Sequence, residues 1–241
     1  MPKQKGDKAA PQTAYVLDGD PPVTVHLRRS AQARRLSLRV SGLDSRVTLT
    51  LPRGVSDREG LAFAQEKADW LRRQIGNRPD VCDVALGVSL PIYGTPHAIV
   101  AGQGRGIRVA DGALQVPGNP ETAGRRVAAF LKTLARDQLA AASDRYAADL
   151  KRPYSRISLR DTRSRWGSCS SAGVLMYSWR LVMAPMEVLE YVAAHEVAHL
   201  RHMDHSPAFW NQVRELYGEY QPARQWLRDN GASLHRYRFG D

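Results

Sequence analysis

The run HEVAHLRHMDHSPAFW, residues 195–210, constrains this chain more than any other stretch. On an α-helix, residues four apart lie one above the other on a single face, so His195 and His199 direct both imidazoles at one point. Glu196 follows the first histidine, about 100° around the helix, and so lies beside that point rather than on it. H-E-x-x-H on a helix is therefore a two-histidine metal site with a general base beside it. Zinc suits this donor set: one ion lowers the pKa of its water to about 7 and polarises a carbonyl, which leads to amide or ester hydrolysis.

A catalytic zinc takes three protein ligands and keeps one position open. His202 lies two turns from His195, roughly 10 Å along a straight helix, and is set aside on distance. His205 has the better geometry, because Asp204 and Ser206-Pro207 read as a helix stop followed by an N-cap and a first-turn proline. A loop at that point can fold back over the ion. Glu215 or Glu219 on the next helix would instead complete a two-histidine, one-glutamate set. The bland alternative is an amphipathic core helix, since Val188, Leu189, Val192, Val197 and Leu200 supply apolar surface; a third histidine at ligand spacing weighs against it.

Cys82 and Cys169 are far apart and form no C-x-x-C pair, which fits a reducing compartment and argues against a thiolate metal site. The opening MPKQKGDKAAPQT is basic and polar, with none of the apolar core of a secretory signal, and reads as a disordered tail over residues 1–20. No apolar run is long enough to span a bilayer. The expectation is a soluble, cytoplasmic protein without a membrane partner. A formal charge of +11, mostly arginine, makes nucleic acid a candidate partner, against the plainer reading of a solvated basic face. The densest basic segments are Arg28 to Arg53 and Lys151 to Arg180.

The segments VTVHLRRS, RRLSLRVSG and RVTLTLPRG alternate apolar and polar residues and read as three strands of an antiparallel sheet. Ser56 to Glu59 is a capping box opening one helix that closes at Gly76-Asn77. Short strands then run to residue 118, with Gly102, Gly104 and Gly106 read as a hairpin turn, because a strand-like IRV follows where a phosphate-binding helix would begin. Thr122 to Leu150 is a long helix, residues 155–185 a small antiparallel sheet, and helices begin beyond Pro185, at Ser206-Pro207 and after Pro222. The chain is thus α+β, with a β-rich N-terminal lobe over 21–118 and a second domain over 119–241.

The order RWGSCS, WRLVMAP, HEVAHLRHMDHSPAFW resembles the bacterial YgjP-like metallopeptidase domain, over about residues 24–238. The resemblance implies a zincin-like catalytic domain, one zinc ion and hydrolysis of peptide bonds in a protein or peptide substrate, with His195, His199 and His205 at the metal positions and Glu196 at the base. More distantly the chain is similar to the Spartan and WLM-type proteases, which act on proteins crosslinked to DNA. One departure is visible: Ser178 stands where the family's N-W-R-L motif has asparagine. In zincins a strand beside the metal helix receives the substrate by strand addition, and Arg165–Ser170 or the strand ending at Arg180 is the candidate. Trp166, Cys169 and Trp179 are substrate-lining or core; Tyr191 and Arg180 are candidates for steadying an oxyanion. The alternatives are a nucleic-acid-associated protein with structural zinc, a protease recruited by nucleic acid, or a zinc hydrolase of non-peptide amides or esters.

Overall fold

A computed structural model describes residues 13–41, 45–76 and 80–240. Contacts group the chain into two units, one ending at residue 79 and one running from Asp80 to the C-terminus. The expected boundary near residue 118 is therefore displaced, and strand β1 (Ala14–Leu17) lies inside what the composition presents as tail; residues 1–12 fall outside the described residues, as does the helix stop at Asn77.

The first unit is a four-stranded sheet in the order β1-β2-β4-β3, with β2 at Val23–Arg29, β3 at Ser37–Val40 and β4 at Val47–Leu51. It is mixed rather than antiparallel: β4 inserts between β2 and β3, so it runs parallel to β2 and antiparallel to β3. Val25, Leu27, Val47, Leu49 and Leu51 form the buried face. Ser56 caps helix α1 (Asp57–Glu66) as the capping box predicts, accepting from the Glu59 amide while the Glu59 carboxylate accepts from the Ser56 amide. Lys67 departs from helical angles at φ −94°, ψ 8°, so the one predicted helix is two, α1 and α2 (Ala68–Gly76).

The second unit opens with β5 (Cys82–Asp83) and a four-stranded sheet of β6 (Ser89–Ile92), β7 (Thr95–Gly102), β8 (Arg108–Ala110) and β9 (Ala113–Pro117), in the order β6-β7-β9-β8. The glycine loop after β7 does not close a hairpin, since β7 pairs in parallel with β9. The hairpin is β8–β9, turned at Asp111 and Gly112, both with positive φ, as a two-residue hairpin requires. Leu90, Ile99 and Leu114 of this sheet share one core with helix α3 (Ala123–Leu150), through Val127 and Leu131. That shared core places β6–β9 with the half that carries the H-E-x-x-H helix.

A three-stranded sheet follows: β10 (Arg156–Arg160), β11 (Gly167–Cys169) and β12 (Val174–Ser178), in the order β10-β12-β11. It too is mixed, because β10 runs parallel to β12 and only β11 is antiparallel to it. Helix α4 (Met186–Ala198) is buried nearly all round, packed on α3 and flanked by α5 (Pro207–Tyr217) and α6 (Gln221–Asn230). The short β13 (Tyr237–Arg238) pairs with β5. An α+β fold with the H-E-x-x-H helix at its centre is what the sequence predicts; the sheet directions are what it does not. Among the described residues no helix is long and apolar enough to cross a membrane.

Candidate metal centre

Helix α4 ends one residue before His199, which is its C-cap; Leu200, Arg201 and His202 then turn back on Val197 and Ala198. Arg201 pins that turn by donating to the Leu150 carbonyl at the end of α3 and to Gln212 of α5. Ser206 accepts from the Phe209 amide and Pro207 opens α5, so the chain between the two helices is a short, closed loop that carries His205. The result is one cluster in which His195, His199 and His205 each offer a ring nitrogen, all within 4.8 Å of one another.

The Nε2 atoms of His195 and His205 stand 3.3 Å apart. Two ligand nitrogens about 2.05 Å from a tetrahedral ion lie about 3.3–3.4 Å apart, so the spacing fits one zinc-sized cation. His199 Nδ1 lies 2.8 Å from the His202 carbonyl; a carbonyl only accepts, so Nδ1 carries the proton and Nε2 keeps a lone pair for a metal. His202 enters by its backbone, while its ring is not in the cluster. Burial, helped by the neighbouring imidazoles, pushes His195 down to about 3, and burial also lowers His199. Both shifts favour the neutral ring, the form that ligates. His195 Nδ1 is buried without a hydrogen-bond partner among the described residues.

Glu196 is 5% exposed, and burial pushes its carboxyl up to about 8 against the pull of Arg165. What closes it in is Gly167: a Cβ there would stand 2.6 Å from Glu196 Cγ and 2.7 Å from Cδ. Strand β11 can run this close to α4 only because residue 167 has no side chain. Cys169, at the other end of β11, is pushed up to about 11 by burial and by the Glu196 charge. Spacing within the helix could not reveal Gly167 or Arg165; the glycine in RWGSCS was the available signal.

The other sequence candidates go elsewhere. Arg180 donates from Nε and Nη2 to the two oxygens of Asp161, at 2.7 and 3.0 Å, and from Nη1 to the carbonyls of Leu234 and Tyr237. It is a buried clamp, with four of its five donors held by the chain. Trp166 stacks on His235 and is packed by Gly231. Tyr191 meets His195 edge to face and stacks on Tyr220, so its ring supports the histidine. Glu215 accepts from Gln212, and Glu219 accepts from the Gln221 amide; neither joins the cluster. Phe209, stacked on His199 at 4.4 Å, and Trp210, tilted against His195 and His205, form an aromatic wall.

A family model described as "YgjP-like, metallopeptidase domain" matches residues 34–230. No curated protein matches. Among solved structures, the zymogen of the metallopeptidase abylysin from Pyrococcus abyssi is 23% identical, over 43% of this chain and 97% of that one, with a TM-score of 0.34. The zymogen of jannalysin from Methanocaldococcus jannaschii is 18% identical, over 39% of this chain and 94% of that one, with a TM-score of 0.33.

Proposed function

The chain belongs to the YgjP-like metallopeptidase-domain family, and from that premise we propose that it is a zinc-dependent peptidase using His195, His199 and His205 as ligands and Glu196 as base. The observation that carries this reading is the convergence of three histidine nitrogens beside a buried carboxylate. His195, His199 and His205 would hold the ion, which when bound would supply a Lewis acid and lower the pKa of water. Glu196, buried beside the cluster and kept ionised by a neighbouring cation, would take a proton from the attacking water and return it to the departing amine nitrogen. His199 is held in its ligating tautomer by the His202 carbonyl, and Phe209 and Trp210 keep bulk water from one side.

The open edge of β11 supports a peptide as substrate. Among the described residues β11 is the terminal strand of its sheet, its first residue lies against Glu196, and an extended chain can pair with such an edge. A closed, purely structural zinc site would need a fourth protein ligand, and the cluster contains three.

The test is cleavage of a denatured protein mixture by metal-loaded chain, with and without chelator, beside Glu196→Gln. The variant is expected to keep its metal and lose about 10²–10⁴-fold in rate. An active Glu196→Gln variant would overturn the assignment of the base. Hydrolysis of simple esters without any protein cleavage would move the substrate to a non-peptide class.

A further inference from the structure

The first unit carries a cleft of about 850 Å³ between β3 and the helices α1 and α2. Its floor is apolar: Leu38 and Phe63 are only partly buried at the margin of the unit's core, and Trp70 is 39% exposed. One wall is β3 itself, the terminal strand of its sheet among the described residues, so its outer edge presents unpaired amides and carbonyls.

The residues lining the cleft carry a positive excess: Arg35, Lys67 and Arg73 against Glu66 and Asp69. Its two acidic residues are neutralised locally, Glu66 by Lys67 at 2.7 Å and Asp69 by Arg72 at 2.9 Å. Arg35 and Arg73 line the cleft and make no ion pair among the described residues. Residues 21–56 contain seven arginines and a single acidic residue, Asp44.

We propose that this cleft binds an extended, acidic segment of another protein, which adds to β3 as a further strand. Alternate side chains of an extended chain point the same way and those between them point to the other face, so apolar residues at alternate positions would seat on Leu38, Phe63 and Trp70, while the cations lining the cleft, Arg35, Lys67 and Arg73, favour a peptide of net negative charge. The occupant is a peptide rather than a nucleic acid because the floor is aliphatic as well as aromatic, and because a nucleic acid offers no matching ladder to a strand edge. The chain's own residues 1–12 do not fit, since they carry three lysines and one aspartate and lead into β1, at the opposite edge of the sheet.

The experiment uses the full chain carrying Glu196→Gln and fluorescence polarisation of a labelled decapeptide of alternating valine and glutamate. Binding is expected, with a loss of about tenfold or more when alternate peptide amides are N-methylated, since one edge of the ladder loses its donors. Arg35→Glu with Arg73→Glu should weaken the glutamate peptide and favour a valine–lysine one. Trp70→Ala, on the surface, provides a second variant with the fold intact by thermal melt. Equal binding of the N-methylated peptide, indifference to the charge reversal, tighter binding of a single-stranded oligothymidylate, or self-association that Trp70→Ala abolishes would each overturn the proposal.

Discussion

Arg180 and the histidine cluster are both polar groupings of the second unit, and the sequence nominates both for chemistry, yet they are bonded in opposite ways. Arg180, 8% exposed, has four hydrogen bonds, two to Asp161 after β10 and two to the C-terminal segment. His199, equally buried, has one nitrogen fixed and one directed at its neighbours; His195 and His205 face each other through like atoms. A buried polar group with most of its donors engaged, as Arg180 has four of five, holds a fold together. Ring nitrogens gathered at a common centre gain little from their own contacts, and such an arrangement suits a group that binds between them. This difference in bonding is what separates the clamp from the proposed ligands.

Arg180→Met gives the largest expected effect on stability. It strips the Asp161 carboxylate and the Leu234 and Tyr237 carbonyls of their donor. The expected cost is about 2–3 kcal/mol, below the ~3–5 of a fully buried pair because Asp161 keeps nearly half its side-chain exposure, 47%. Urea unfolding measures it. The contrast breaks if stability holds while kcat/KM collapses, since Arg180 would then be acting on substrate.

Gly167→Ala comes next, and acts on the other grouping. The added methyl must displace Glu196, and a misplacement of about 1 Å costs about 10²-fold in rate. Metal content and the melting temperature should change little. A rate near the wild type would mean that Glu196 is not positioned by β11.

Metal binding gives a smaller shift that should belong to the histidines alone. Zinc at ten times its Kd stabilises the native state by about 1.4 kcal/mol, or about 3–6 °C for a unit of this size. His205→Ala should remove most of that shift and Arg180→Met none of it, as read by thermal melts with and without metal. Persistence of the shift in His205→Ala would take that residue out of the ligand set.

What could be seen in the sequence was what the chain determines locally. His195 and His199 are four apart on one helix, and Ser206-Pro207 stops and restarts the chain at the right distance for His205 to join them. The capping box at Ser56 is equally local. The rest depends on partners far apart in sequence. Arg180 finds Asp161 nineteen residues away and carbonyls 54 and 57 residues away, and no spacing rule connects them. Gly167 matters because of Glu196, on another element. A period-two pattern marks a strand and its buried face but carries no direction for its neighbour, which is why β2–β4, β7–β9 and β10–β12 were not foreseen as parallel. The β-rich segment before α3 reads as one lobe until its apolar residues are seen to pack on α3.

The smallest effect is a pH dependence that sharpens the contrast from the clamp's side. His235 stacks on Trp166 and adjoins Leu234, whose carbonyl Arg180 holds; burial first, and then the Arg180 charge, push its pKa down to about 4, with Asp161 pulling the other way and Arg163 adding to the depression. The unfolded value is near 6.5. Between these two values the unfolded chain binds the proton and the folded chain does not, so stability rises with pH across that window. The contribution is fully present above about 6.5 and is lost as pH falls through about 4. His235→Gln should flatten this part of the profile, measured as the difference in urea midpoint between pH 7 and pH 4.5 with metal-loaded protein in both samples. The difference should be modest, because the ring keeps some contact with solvent. An unchanged slope would mean that His235 is protonated in the fold, and that the surroundings of Arg180 are wetter than its bonding implies.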